Sequence, residues 1–206
     1  MISTLHKLIY LHAPKTGGNS IQTILLPYSD DRKVFVEHQD GHDRFEVRGG
    51  LTRKKHSTLR DYARALGPDI AAYKVAISVR HPFDRAVSYY FSPHRWMRKS
   101  GDGWVLEQPV WDQAAFTAML GTVPSMASFL TVGDEFRQPD FVIRYETLEA
   151  DFNAMRLALG IPSTPPFPHV NKSAGSNLAA DVRANVSLRA FVAEYYAEDM
   201  EAFGYV

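Results

Sequence analysis

One ammonium, three short polar side chains and two adjacent glycines fall together in Lys15-Thr16-Gly17-Gly18-Asn19-Ser20, directly after Pro14. Such a set suits an anion. Lys15 supplies a full positive charge, Thr16, Asn19 and Ser20 supply short-range donors, and the glycines let the backbone come close. The elements around it fit that use. In Leu8–Leu26, LIYLHAPKTGGNSIQTILL, Leu8 to His12 is a short apolar run that reads as a buried strand. Ala13 to Gly18 is a tight turn. Asn19 to Leu26 reads as helix, with Ile21, Ile24 and Leu25 on one face and Pro27 as its stop. A strand feeding a glycine-bearing turn that opens a helix leaves backbone N–H groups unpaired, and these point with the positive end of the helix dipole toward the turn.

A second group able to do chemistry is His56, which follows the cations Arg53, Lys54 and Lys55. Neighbouring positive charge favours the neutral imidazole, the form a general base needs. Solvated basic face and helix-start histidine is the competing reading. The helix after it is clear. Leu59, Tyr62, Ala63 and Leu66 recur at helical spacing, Thr58 with Asp61 forms a capping pair, and Gly67-Pro68 ends it. His38 and His42 lie in a polar stretch beside Asp40 and Asp43. Without a helical pattern or a third ligand they read as loop residues rather than a metal site. No metal is expected.

The stretch LHAPKTGGNSI resembles the 5′-phosphosulfate-binding loop of the sulfotransferases that use 3′-phosphoadenosine 5′-phosphosulfate (PAPS), in the form found in their carbohydrate and bacterial branch. It is not the triphosphatase loop GxxxxGK[ST], because here the glycines follow the lysine. VRHPFDRAVSYY, after the apolar strand Tyr73–Val79, resembles the second signature of that family, the 3′-phosphate site, with Arg80 at the strand end and Ser88 eight residues on. A guanidinium there would fork onto a phosphate and the hydroxyl would complete the shell. Arg85 falls on another helix face and reads as an ion-pair or packing residue. KHST around His56, RYETLEADF after Phe141, HVNKS near residue 172 and the closing EDMEAFGYV also resemble family segments, so the resemblance spans nearly the whole chain.

That resemblance implies a PAPS-dependent sulfotransferase, moving a sulfuryl group from PAPS to a hydroxyl acceptor, a carbohydrate or other small hydroxyl compound. Lys15 and His56 would be catalytic. Lys15, Thr16, Gly17, Gly18, Asn19, Ser20, Arg80, Ser88 and Lys172 would hold PAPS, with Ser173 and Asn171 beside Lys172. Glu146, His42 and His94 stand behind His56 as alternative bases. A nucleotide kinase on a related fold, or a non-catalytic nucleotide-binding protein, remains the alternative. The kinase is disfavoured because the strand before Arg80 ends in a cation, not in a metal-holding acid.

The chain of 206 residues predicts one domain, residues 1–206, with a core that needs no staples. The fold class expected is α/β, a three-layer P-loop-type arrangement with a central parallel sheet flanked by helices. A formal net charge of zero gives no sign of nucleic acid as a partner, so any anion site must come from local clustering. Cysteine is absent, which excludes disulfides, thiolate zinc sites and cysteine nucleophiles. No apolar run reaches the roughly 18 residues of a membrane span. With no signal-like start, a cytoplasmic location is expected. Further along, Ser92–Val110 reads as a loop whose His94, Trp96 and Trp104 could wall an acceptor site. Helices are expected over Trp111–Leu120, Pro124–Leu130 and Leu148–Leu159, and a last one with Leu188, Phe191 and Tyr195 turned inward.

Overall fold

A computed structural model describes residues 1–34, 46–52, 54–162 and 177–206. His38, His42, Arg53, Asn171, Lys172 and Ser173 lie outside them. In chain order the described elements begin with β1 (Ile2–Ser3), β2 (Leu8–His12), α1 (Gly18–Leu25), β3 (Arg32–Val34), β4 (Glu46–Arg48) and α2 (Leu59–Leu66). Then come β5 (Lys74–Val79), α3 (Pro82–Tyr90), α4 (Pro93–Trp96), β6 (Met97–Ser100), β7 (Gly103–Leu106) and α5 (Gln113–Leu120). The chain closes with β8 (Thr131–Val132), β9 (Glu135–Phe136), β10 (Phe141–Arg144), α6 (Leu148–Ala158), α7 (Asn177–Arg183), α8 (Val186–Tyr195) and α9 (Ala197–Phe203).

The class is mixed α/β, with a central sheet in the order β1-β2-β5-β10 flanked by helices. β2 pairs parallel with β5 (Tyr10 opposite Ala76), and β5 parallel with β10 (Ile143 opposite Ser78), while the two-residue β1 adds an antiparallel edge. β2 is buried along its whole length and β5 from Val75 onward, which is why both read as apolar runs without alternation. Ile21, Ile24 and Leu25 of α1 and Phe152 and Met155 of α6 pack with Leu8, Tyr10, Ala76 and Ile143 of the sheet. At the foot of β5, Asp140 accepts from the Val75 N–H and the Lys74 ammonium, both at 2.8 Å.

The described residues gather into two compact units, each discontinuous in sequence. The first holds the sheet, α1, α2 and α6. The second draws on residues 81–125 and 177–206 and packs α3, α5, α7 and α8 around Phe83, Val87, Phe116, Leu120, Leu188 and Val192. Inside it Arg85 is fully buried, donates to the Pro124 carbonyl at 2.9 Å and faces the Asp199 carboxylate at 4.0 Å. It is the packing and ion-pair residue its helix face implied.

Several expectations need correction. Ser92–Val110 is not loop throughout, because β6 and β7 form a hairpin in which Met97 pairs with Leu106 and Lys99 with Trp104. Trp96 is no free wall either. Its ring packs edge-on against Tyr90 and its indole N–H donates to the Tyr90 carbonyl at 2.9 Å. β3 pairs antiparallel with β4, Lys33 opposite Val47. On α8 the inward face is Leu188, Val192 and Tyr196, whereas Phe191 is 42 % and Tyr195 50 % exposed. Among the described residues, no helix is long and apolar enough to cross a membrane.

Candidate active site

The first unit brings together Lys15, Thr16, Gly17, Gly18, Asn19, Ser20, His56 and Arg80. Ser88 belongs to the second unit, on α3, where it is buried and its hydroxyl bonds to no described residue.

The turn between β2 and α1 is held from below. Thr16 is fully buried; its hydroxyl donates to the Ala13 carbonyl at 2.7 Å and lies 2.6 Å from the Ser78 hydroxyl. Tyr10 of β2 donates its own hydroxyl to Ser78 at 2.8 Å. With the Thr16 proton on Ala13 and the Tyr10 proton on Ser78, Ser78 must donate to Thr16, so the chain of hydroxyls has one direction. The expectation that the Thr16 hydroxyl is a donor to an anion is therefore corrected: it is spent on the turn, and only the backbone N–H of Thr16 is left over. Burial raises the Tyr10 phenol well above its ordinary range, which keeps it a donor.

Above that support the backbone is bare. The N–H groups of Thr16, Gly17, Gly18 and Asn19 bond to no other group among the described residues. The side-chain oxygen of Asn19 is buried without a partner there. Since an amide is fixed only up to an exchange of its O and N, the same position can offer an NH2 donor. Both glycines are required, for different reasons. Gly17 has φ +80°, and a Cβ there would press on Leu148 and Tyr145 at 3.1 Å. A Cβ on Gly18 would overlap the His12 ring. Lys15 itself sits at φ +68°, a left-handed conformation rare for a residue with a Cβ. Strain of this kind persists where the surroundings impose it, and here it falls at the start of the turn whose next four N–H groups bond to no described residue.

Arg80, at the end of β5, directs Nη1 to the Lys15 carbonyl at 3.5 Å, a long hydrogen bond. Its guanidinium lies 3.9 Å from the centre of the Tyr145 ring. Such stacking is worth about 0.5–2 kcal/mol and fixes the plane of the fork. Tyr145 touches both Arg80 and the space next to Gly17, a role that the motif RYET did not reveal in sequence.

His56 is half-buried just before α2, whose start is rigid. Thr58 and Asp61 close a capping box, and the Ser57 hydroxyl donates to the Lys54 carbonyl at 2.8 Å. The Nδ1 of His56 lies 2.8 Å from the His12 carbonyl oxygen. A carbonyl only accepts, so Nδ1 carries a proton, and the neutral imidazole then has its lone pair on Nε2, the tautomer a base needs. Glu146 and His94 are exposed, Glu146 in the first unit and His94 in the second.

Among comparisons with known proteins, the model of the Sulfotransferase family matches residues 1–206. No curated protein and no solved structure matches the chain. An anion-ready turn, an arginine docked upon it and a histidine in base form belong with that match over the full length: the chain is a member of the sulfotransferase family, whose chemistry is sulfuryl transfer.

Proposed function

We propose that the protein is a PAPS-dependent sulfotransferase acting on a hydroxyl acceptor, a carbohydrate or other small hydroxyl compound. The observation that carries the reading is the turn Pro14–Asn19, with four backbone N–H groups that bond to no described residue, in the same unit as Lys15 and Arg80. The buried side-chain amide position of Asn19, without a partner among the described residues, supports a bound anion here. In this reading the N–H groups of Thr16 to Asn19 and Lys15 hold the 5′-phosphosulfate. Arg80 and Ser88 take the 3′-phosphate, and Ser20 and Lys172 complete the set.

When bound, PAPS supplies the sulfuryl group: the acceptor oxygen bonds to sulfur while the bond from sulfur to the 5′-phosphate oxygen breaks, and that oxygen keeps the electron pair. His56 accepts the acceptor's hydroxyl proton at Nε2, its Nδ1 proton being committed to the His12 carbonyl. Lys15 and the four N–H groups lie where negative charge grows, and such preorganised donors are usually the largest catalytic contribution.

The test is calorimetric titration of the full chain with adenosine 3′,5′-bisphosphate without metal, beside ATP with Mg²⁺. Micromolar binding of the bisphosphate and little of ATP is expected. The reverse order would replace sulfuryl transfer by the kinase reading.

A further inference from the structure

Two histidines meet beside the turn, and the mechanism uses only one. His12, the last residue of β2, is 4 % exposed. Its Nδ1 lies 3.1 Å from Gln22 Oε1 on α1, and with the amide in that orientation Nδ1 carries the proton. Its ring fills the space that the missing Cβ of Gly18 leaves. The ring of His56 stands edge-on to it, 4.6 Å between centres and 67° between planes. The charged and titratable groups acting on it are His56, Lys55 and the Met1 amine, and burial first and then these groups hold its pKa well below the ordinary imidazole value. A buried, neutral, doubly clamped ring against a half-exposed base is more than core filling, because apolar side chains fill such space without the cost of burying a ring nitrogen.

We infer that His12 is a positioning residue for His56: its ring, clamped by Gln22 and seated on Gly18, holds the His56 imidazole so that Nδ1–H stays on the His12 carbonyl and the lone pair stays on Nε2. The inference rests on the reading of His56 as the base. It ties the anion turn to the base through one side chain, since His12 touches α1, Gly18 and His56 together.

The experiment is ¹⁵N NMR of the imidazoles in the full chain above the ordinary imidazole pKa, with His56→Ala for assignment. His56 is expected as the single Nδ1–H tautomer. In His12→Ala both tautomers are expected, and transfer of sulfuryl from PAPS to water should fall on the order of 10²-fold, the scale of a small misplacement of a reacting group. Affinity for adenosine 3′,5′-bisphosphate should hold. His12→Phe, which keeps a flat ring in the same space but cannot bond Gln22, should show both tautomers as well. If His12→Ala does not fold, Gln22→Ala, which leaves both histidines, carries the same comparison. A single tautomer retained after loss of the ring or its clamp overturns the inference, and weakened bisphosphate binding beside it would make His12 a support of the turn only. Turnover surviving in His56→Ala removes the base reading and the inference with it; turnover lost there but normal in His12→Ala overturns only the inference.

Discussion

Lys15 combines a charge with a strained backbone, and the two can be separated by substitution. At φ +68° any residue with a Cβ is disfavoured by roughly 1–2 kcal/mol relative to a relaxed conformation, and glycine is not. Lys15→Ala and Lys15→Gly should both abolish turnover. Lys15→Gly should nevertheless be the more stable of the pair by about 1 kcal/mol in urea denaturation. Equal stabilities would mean that the turn relaxes once the lysine is gone. Near-normal turnover in either would remove Lys15 from the chemistry. Arg80 makes the complementary case. Arg80→Ala should weaken bisphosphate binding by roughly 1.5–3 kcal/mol, the worth of a charged hydrogen bond. Tyr145→Phe should leave the affinity alone, and Tyr145→Ala should cost part of it, because the stacking needs the ring and not the hydroxyl. An Arg80→Ala protein that binds the bisphosphate normally would place the 3′-phosphate elsewhere.

At the scale of elements, the turn is stiff because strand, glycine and helix are mutually fitted. Gly18→Ala puts a methyl into the His12 ring, an overpacking that should cost about 1–3 kcal/mol. The same substitution in a His12→Ala background should cost much less, so the double-mutant cycle should show strong coupling. Additive effects would sink the fit described between ring and glycine. The elements that bear chemistry were those readable in sequence. β2 and β5 are short apolar runs buried in the sheet, β10 is a half-buried apolar run ending in Arg144, and α2 declares both ends with Thr58-Asp61 and Gly67. The hairpin of β6 and β7 was not readable. Trp104, Val105 and Leu106 are all exposed, so they follow neither the alternation of a half-buried strand nor a core run. On α8, Leu188 pairs at helical spacing with Phe191 and Tyr195 as well as with Val192 and Tyr196, and only packing around Phe116 and Leu120 selects the second set. The site shows the same division. Lys15, His56 and Arg80 announce themselves by charge and spacing, whereas Tyr145 and the commitment of the Thr16 hydroxyl depend on which strands become neighbours.

For the molecule as a whole, zero formal net charge leaves no strong self-repulsion to govern acid stability, so individual buried groups should set it. His12 is one of them near neutrality, beside the Met1 amine, which burial lowers to about 6. Burial first, and then His56 and Lys55, hold the pKa of His12 well below the ordinary imidazole value. An unfolded chain would take up a proton there at about pH 6.5 that the native chain refuses. Stability must then fall as pH drops below about 6.5, by at most about 1.4 kcal/mol per pH unit for one such group, and no loss arises from it above that pH. Asp140 acts in a separate, lower window. Although burial opposes it, hydrogen bonds from Lys74 and the Val75 N–H leave its carboxyl below the ordinary value. Its contribution is present above about pH 3.9 and is lost as pH falls through its native value. Urea denaturation at several pH values between about 5 and 7.5 reads both His12 and the Met1 amine, and the difference between wild type and His12→Phe isolates the histidine. The wild type should lose stability on the acid side, and His12→Phe, which cannot titrate, should flatten that slope. An unchanged slope in His12→Phe would show that His12 takes up its proton without unfolding, and so that its ring reaches water in the native state.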